Sequence, residues 1–152
     1  QRGVRSSVVR LAPTVHSALD HYGFVPSLIA MARHNGFAAY VGDGANRWPA
    51  LHTLDSARLY RLALEKAPAG VRLHGVAEAG IPFRDIAEAI GRGLGLPTKS
   101  ISTGDAAEHL GFLATLAQLD NPTSNARTRE QLGWQPRHPG LLADITLAYL
   151  KS

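Results

Sequence analysis

VVRLAPTVHS, residues 8–17, decides how the chain is read. Val8 and Val9 are adjacent and β-branched, Leu11 follows, and Pro13 stops the run, so residues 4–12 read as a strand. Two neighbouring valines imply burial on both faces, as in a parallel sheet. Parallel strands need crossover partners. The rest of the chain should therefore alternate strands and helices, and the opening stretch reads as the middle of a fold.

Working outward, Phe24, Leu28, Ile29 and Ala32 share one face of a helix over 24–35, with Gly36 as its C-cap. Ala38 to Val41 reads as a short strand, turned by Gly42-Asp43-Gly44. An extended piece runs from Trp48 to Leu51, because Pro49 disfavours helix at Trp48. Asp55 is expected to cap the next helix, which carries Ala57, Tyr60, Ala63, Leu64 and Ala67 on one side until Pro68 and Gly70. Residues 71–77 alternate as a strand. Phe83, Ile86, Ala87, Ile90 and Leu94 give the clearest helix, over 82–94. A strand at 98–101 and helices at 104–110 and 112–119 follow. A helix capped by Ser124 runs to Leu132, and a last one spans 140–150. The alternation indicates an α/β fold.

The 152 residues are enough for one domain with a core, and 45% hydrophobic and 18% charged residues are globular values. There is no cysteine, hence no disulfide framework or thiolate site. No apolar run is long enough for a membrane span, and the N-terminus lacks the apolar core of a signal peptide. A cytoplasmic protein without membrane contact is expected. The net charge of +4 comes from 16 Lys and Arg against 12 Asp and Glu. Arg33, Arg47, Arg58, Arg72, Arg84, Arg92 and Arg127 are dispersed among acids, which disfavours nucleic acid as a partner.

Seven histidines (16, 21, 34, 52, 74, 109 and 138) show no metal-ligand spacing, so no metal site is expected. Gly91, Gly93 and Gly95 close a helix instead of opening one, which makes them capping residues and not a phosphate loop. Trp134 reads as core. No nucleophile elbow or P-loop is present.

Four blocks together resemble the C-terminal half of an extended short-chain dehydrogenase/reductase, more narrowly the NAD-dependent epimerase/dehydratase family. VVRLAPTVHS (8–17) is similar to R-x-P-x-V-Y-G. GDGANRWPALHTLD (42–55) is similar to G-D-G-x-x-x-R-D-F-x-H-V-D-D, with Gly42, Gly44, His52 and Asp55 in register. LHGVAEAGIPFRDIAEAIGRGLGLP (73–97) resembles the strand, loop and helix of the substrate domain. NARTREQLGWQP (125–136) resembles the terminal L-G-W-x-P signature.

The resemblance implies a C-terminal part of a Rossmann-type fold: a small mixed sheet with several packed helices, and the N-terminal cofactor half absent. Residues 1–16 would be a strand and loop from the Rossmann sheet, and residues 17–152 the substrate lobe. It further implies that NAD or NADP serves the intact enzyme. Pro13, Thr14, Val15 and His16 would border the cofactor, and Arg47, Trp48 and His52 the substrate. The G-x-x-G-x-x-G loop and the Tyr-x-x-x-Lys pair are not in this sequence. No residue is therefore assigned as catalytic, and no cofactor is expected to be held tightly by this chain alone. Trp48 stands where the family places a phosphate-gripping arginine, and an indole cannot replace that bidentate fork. A small carbonyl, neutral sugar or steroid-like substrate is favoured over a nucleotide sugar. Expected partners are that small molecule and either the missing N-terminal half or a second copy, through the exposed face. The alternative is a non-enzymatic binding module derived from such a lobe.

Overall fold

A computed structural model of the protein describes residues 3–150. The elements in chain order are β1 (Val8–Leu11), β2 (Thr14–His16), α1 (Phe24–Asn35), β3 (Ala38–Val41), β4 (Arg47–His52), α2 (Thr53–Lys66), β5 (Arg72–Gly75), β6 (Glu78–Pro82) and α3 (Phe83–Leu94). β7 (Thr98–Ile101), α4 (Ala106–Leu110), α5 (Ala126–Leu132) and α6 (Leu141–Asp144) follow. Two short 3-10 turns replace the helix expected over 112–119, and α6 widens into a π turn through Ile145–Tyr149.

The strands form three small sheets. β1 pairs with β5 and β3 with β7, both parallel; β4 lies between parallel β2 and antiparallel β6. The middle sheet is mixed, as the resemblance implied. β2 and β6 lie where the sequence reads as loop. The first is three residues long and the second contains Gly80, so neither presents an alternation that announces a strand.

Helix α3 shows why this sequence folds this way. Phe83, Ile86, Ala87 and Ile90 are buried on one stripe against α1 and β3, and each large side chain there contributes roughly 1.5–3 kcal/mol. Gly95 ends the helix at φ 66°, a conformation costly for a residue with a Cβ. Two core clusters result. One gathers Trp48, Phe83, Ile86, Leu141 and Ile145; the other gathers Leu51, Leu59, Leu73, Leu132 and Trp134. Gly44 joins turn and core: its φ is 63°, and a Cβ there would come within 2.6 Å of Arg84 Cβ.

Two sequence expectations need correction. The first strand is four residues long, and Val8 is 58% exposed instead of buried on both faces. Among the described residues β5 is its one strand partner, and Val8 and Arg10 leave one face exposed. Arg5, ahead of it, instead reaches the end of α2, where its guanidinium donates to the carbonyls of Leu64 and Ala67 and satisfies the helix C-terminus. The second correction concerns the start of α2. The helix begins at Thr53, and its cap is His52, whose Nδ1 accepts from Leu54 N–H at 3.1 Å. Asp55 lies inside the first turn, and its carboxylate accepts the backbone N–H groups of Arg137 and His138, each at 3.0 Å. A distant loop outcompetes the local helix for that carboxylate.

Candidate functional site

Ligands of open α/β sheets bind at the carboxyl ends of parallel strands. In the β1–β5 pair that end is Leu11–Pro13 and Gly75. Ala12 N–H still donates to Gly75 O at 3.0 Å, but Pro13 has no N–H to give, and the chain steps across to β2. Pro13 is exposed at this step.

Beside it the loop 119–123 is laced onto β4 and β6: Asn121 N–H donates to Arg47 O at 2.9 Å and Thr123 N–H to Ala79 O at 2.8 Å. Two cavities open on either side of Pro13. An apolar one of about 80 Å³ is walled by Pro13, Phe24, Trp48, Leu116, Leu119 and Asn121. A more polar one of about 110 Å³ is walled by Arg10, Leu11, Ala12, Pro13, Asn121 and Thr123.

Trp48 is set by the core. It packs edge-on to Phe83 at 4.8 Å and tilted against Phe24 at 5.8 Å, and its indole N–H donates to Leu116 O at 3.0 Å. Only 3% of it is exposed, at the floor of the apolar cavity. Arg47, on the outer side of the same strand, grips Asp120 through both Nε (3.0 Å) and Nη2 (2.8 Å). Those hydrogen bonds hold the Asp120 carboxyl below its usual range. The Arg47 fork is filled from within the chain.

The remaining candidates point inward. Val15 is half-buried, while Thr14, His16 and His52 are buried. His16 Nδ1 lies 2.7 Å from Asp144 Oδ2, and the other ring nitrogen has no partner among the described residues. Leu54 N–H occupies His52 Nδ1, so the ring proton of neutral His52 sits on Nε2, 3.5 Å from the same Asp144 oxygen. His52 stacks on His138 at 4.7 Å, and His138 Nδ1 lies 3.0 Å from Asp55 Oδ1, off the line of a good hydrogen bond. Burial pushes the His52 pKa down, against the pull of Asp144. Burial pushes Asp55 up, but the His138 ring and the two backbone N–H groups outweigh it and hold the carboxyl low.

The structure thus gathers Pro13 and Trp48 on one cleft and leaves Arg47 outside it, paired with Asp120. It draws His16 and His52 into a buried His–Asp cluster, and buries Thr14 with no hydrogen-bond partner for its hydroxyl among the described residues. Sequence reasoning missed Asn121, a wall of both cavities that reads locally as a chain break, and Asp120, His138 and Asp144. No spacing signal marks them, since each meets its partners across more than seventy residues of chain. Among the described residues no group of three His, Cys, Asp or Glu is set to hold a metal ion, and no helix is long and apolar enough to cross a membrane.

Similar backbones occur in solved enzymes. A dTDP-glucose 4,6-dehydratase from Streptomyces venezuelae, with NAD and TYD bound, superposes with a TM-score of 0.71 at 16% identity, over 96% of this chain and 43% of that one. The Thermus thermophilus UDP-glucose 4-epimerase in complex with NAD gives 0.67 at 15% identity, over 96% and 46%. RMD from Pseudomonas aeruginosa, complexed with NADPH, gives 0.65 at 17%, over 97% and 48%. The fold is that of part of an extended short-chain dehydrogenase/reductase. No family model matches the sequence. Two curated relatives are much closer in sequence: the uncharacterized protein C2A9.02 of Schizosaccharomyces pombe, 51% identical over 95% of this chain, and the uncharacterized protein YLL056C of Saccharomyces cerevisiae, 47% identical over 97%. The chain spans about half the length of each, 48% and 49%.

Proposed function

We propose that this chain is the substrate-binding portion of an NAD(P)-dependent oxidoreductase or epimerase that acts on a small carbonyl compound, sugar or steroid-like ring. The observation that carries this reading is the apolar cavity floored by Trp48 next to the exposed Pro13, at the carboxyl end of a parallel strand pair. Its walls supply aromatic and aliphatic surface plus one amide, Asn121, which suits a flat and weakly charged ligand. The Arg47 guanidinium is already held by Asp120, so it adds little grip for a substrate phosphate.

The residues present fit one end of a nicotinamide cofactor. Pro13 offers an apolar face for a planar ring, and Arg10, Asn121 and Thr123 line the polar cavity beside it. This chain's sequence carries no glycine-rich turn opening a helix, so a helix N-terminus facing the dinucleotide's diphosphate would come from elsewhere in a longer protein. The cofactor would accept or donate the hydride. Trp48 and Phe24 would orient the substrate and exclude water, and Asn121 would fix a substrate oxygen by hydrogen bonding. Catalysis on this reading needs groups that this chain does not contain.

Expression of a longer protein containing this chain, assayed for NAD(P)+ reduction across a panel of alcohols and neutral sugars, tests the reading. Turnover whose KM rises on Asn121→Ala is expected. An absence of turnover and of cofactor binding would reject it. A second reading, association through the open edge of β1, is favoured by the exposed Val8 and by β5 being the one strand partner of β1 among the described residues. Sizing at several concentrations checks it: a shift to larger species that Val8→Lys abolishes supports association, and one size at all concentrations opposes it.

A further inference from the structure

A third cavity, an open groove of about 570 Å³, lies along the β1–β5 face and adjoins the polar cavity beside Pro13, with which it shares Arg10, Asn121 and Thr123. It is lined by Arg10, Arg72, His74, Arg127 and the segment 121–124 with Thr128. Register explains the first three. Val8 pairs with Arg72 and Arg10 with His74, and alternate strand residues share a face. Arg10 and Arg72 are therefore diagonal neighbours. Arg127 comes from the first turn of α5, where the helix dipole disfavours a cation.

Gathering on one groove sets these arginines apart, since Arg5, Arg33, Arg129 and Arg137 also face no carboxylate within 4 Å among the described residues. Arg47, Arg58, Arg61, Arg84 and Arg92 each face a carboxylate within 4 Å. Among the described residues Arg10, Arg72 and Arg127 have no ion-pair partner, and neither Asp nor Glu lines the groove. The walls are otherwise hydrogen-bonding groups of fixed position. His74 N–H donates to Thr128 Oγ1 at 2.7 Å, and His74 Nδ1 lies 3.1 Å from Ser124 O. Three like charges around one concave surface repel each other, so the arrangement costs stability that an anion would restore.

We propose that this groove binds a phosphate-bearing small molecule through Arg10, Arg72 and Arg127. A guanidinium fork matches phosphate oxygens two at a time, and three forks lining one groove fit a phosphate or diphosphate better than a single carboxylate. The groove shares walls with the polar cavity given above to the cofactor, yet its test is separate from the oxidoreductase reading, because binding by this chain is measured without turnover.

Calorimetric titration of the chain with inorganic pyrophosphate at fixed ionic strength tests it. Saturable binding is expected, and Arg72→Gln or Arg127→Gln each weakens it by about tenfold or more. Arg92→Gln, which removes an exposed guanidinium beside Glu88, leaves the affinity unchanged. Without ligand, Arg72→Gln and Arg127→Gln melt no lower than wild type, and they lose the rise in Tm that pyrophosphate gives the parent. Competition by NAD+ assigns the phosphate to a cofactor, and competition by a hexose 1-phosphate assigns it to a substrate. Non-saturable binding, equal loss in Arg92→Gln, or binding of duplex DNA that pyrophosphate does not displace would overturn the proposal.

Discussion

Two charged regions of the molecule contrast. In the His–Asp cluster every carboxylate is buried and engaged: Asp144 faces His16 and His52, and Asp55 takes two backbone N–H groups beside His138. In the groove, three arginines face open space with no carboxylate among them. Buried charges persist only when partnered, so the cluster is committed to holding the fold. Exposed charges of one sign gain nothing by gathering unless something else arrives, so the groove is available for binding.

The largest expected effect breaks the committed side. Asp55→Ala strands the N–H groups of Arg137 and His138 and removes the carboxylate link between α2 and the 134–138 loop, leaving there the Trp134 indole N–H bond to the backbone carbonyl of residue 55 at 3.1 Å. A loss of about 3 kcal/mol is expected in urea unfolding. His52→Ala removes a helix cap and should cost about 1 kcal/mol; His52→Asn keeps a capping side chain and should recover most of it.

Acid sharpens the same comparison. The His52 pKa in the folded chain lies below 6.5, so the unfolded chain binds more protons between the two values. Stability is therefore full above about 6.5 and falls as pH drops toward the folded value. Protonation would also place a proton on Nδ1, where Leu54 N–H now donates. His52→Asn should flatten this part of the profile. The depressed Asp55 carboxyl acts in a lower window: its contribution is present above 3.8 and lost as pH falls through the folded value. Equilibrium unfolding from pH 7 to pH 3 reads both windows. The smallest effect belongs to the exposed Arg47–Asp120 pair. Arg47→Ala should barely move Tm, because water and salt already screen it.

Much of the fold is legible in residue patterns. The stripe on α3, the αL glycine after it and the strands at 38–41 and 98–101 follow from periodicity and turn chemistry. Trp134 in the core follows similarly. What escaped is set by long-range competition. Asp55 has the sequence context of a cap, yet it is claimed by a loop eighty residues away. Val8 and Val9 look buried, but β1 has one strand neighbour among the described residues. The site divides along the same line. Pro13 and Trp48, which the resemblance singled out, wall one cavity, whereas the partners of His16 and His52, and the meeting of Arg10 and Arg72 with Arg127, depend on a topology that no short motif encodes.

The division between committed and available charge is tested most directly by one paired measurement, unfolding stability and pyrophosphate affinity on Asp55→Asn and Arg72→Gln. The account predicts that Asp55→Asn loses stability and keeps its affinity, while Arg72→Gln keeps its stability and loses affinity. Stability and affinity falling together in both variants, or affinity unchanged in Arg72→Gln, would contradict it.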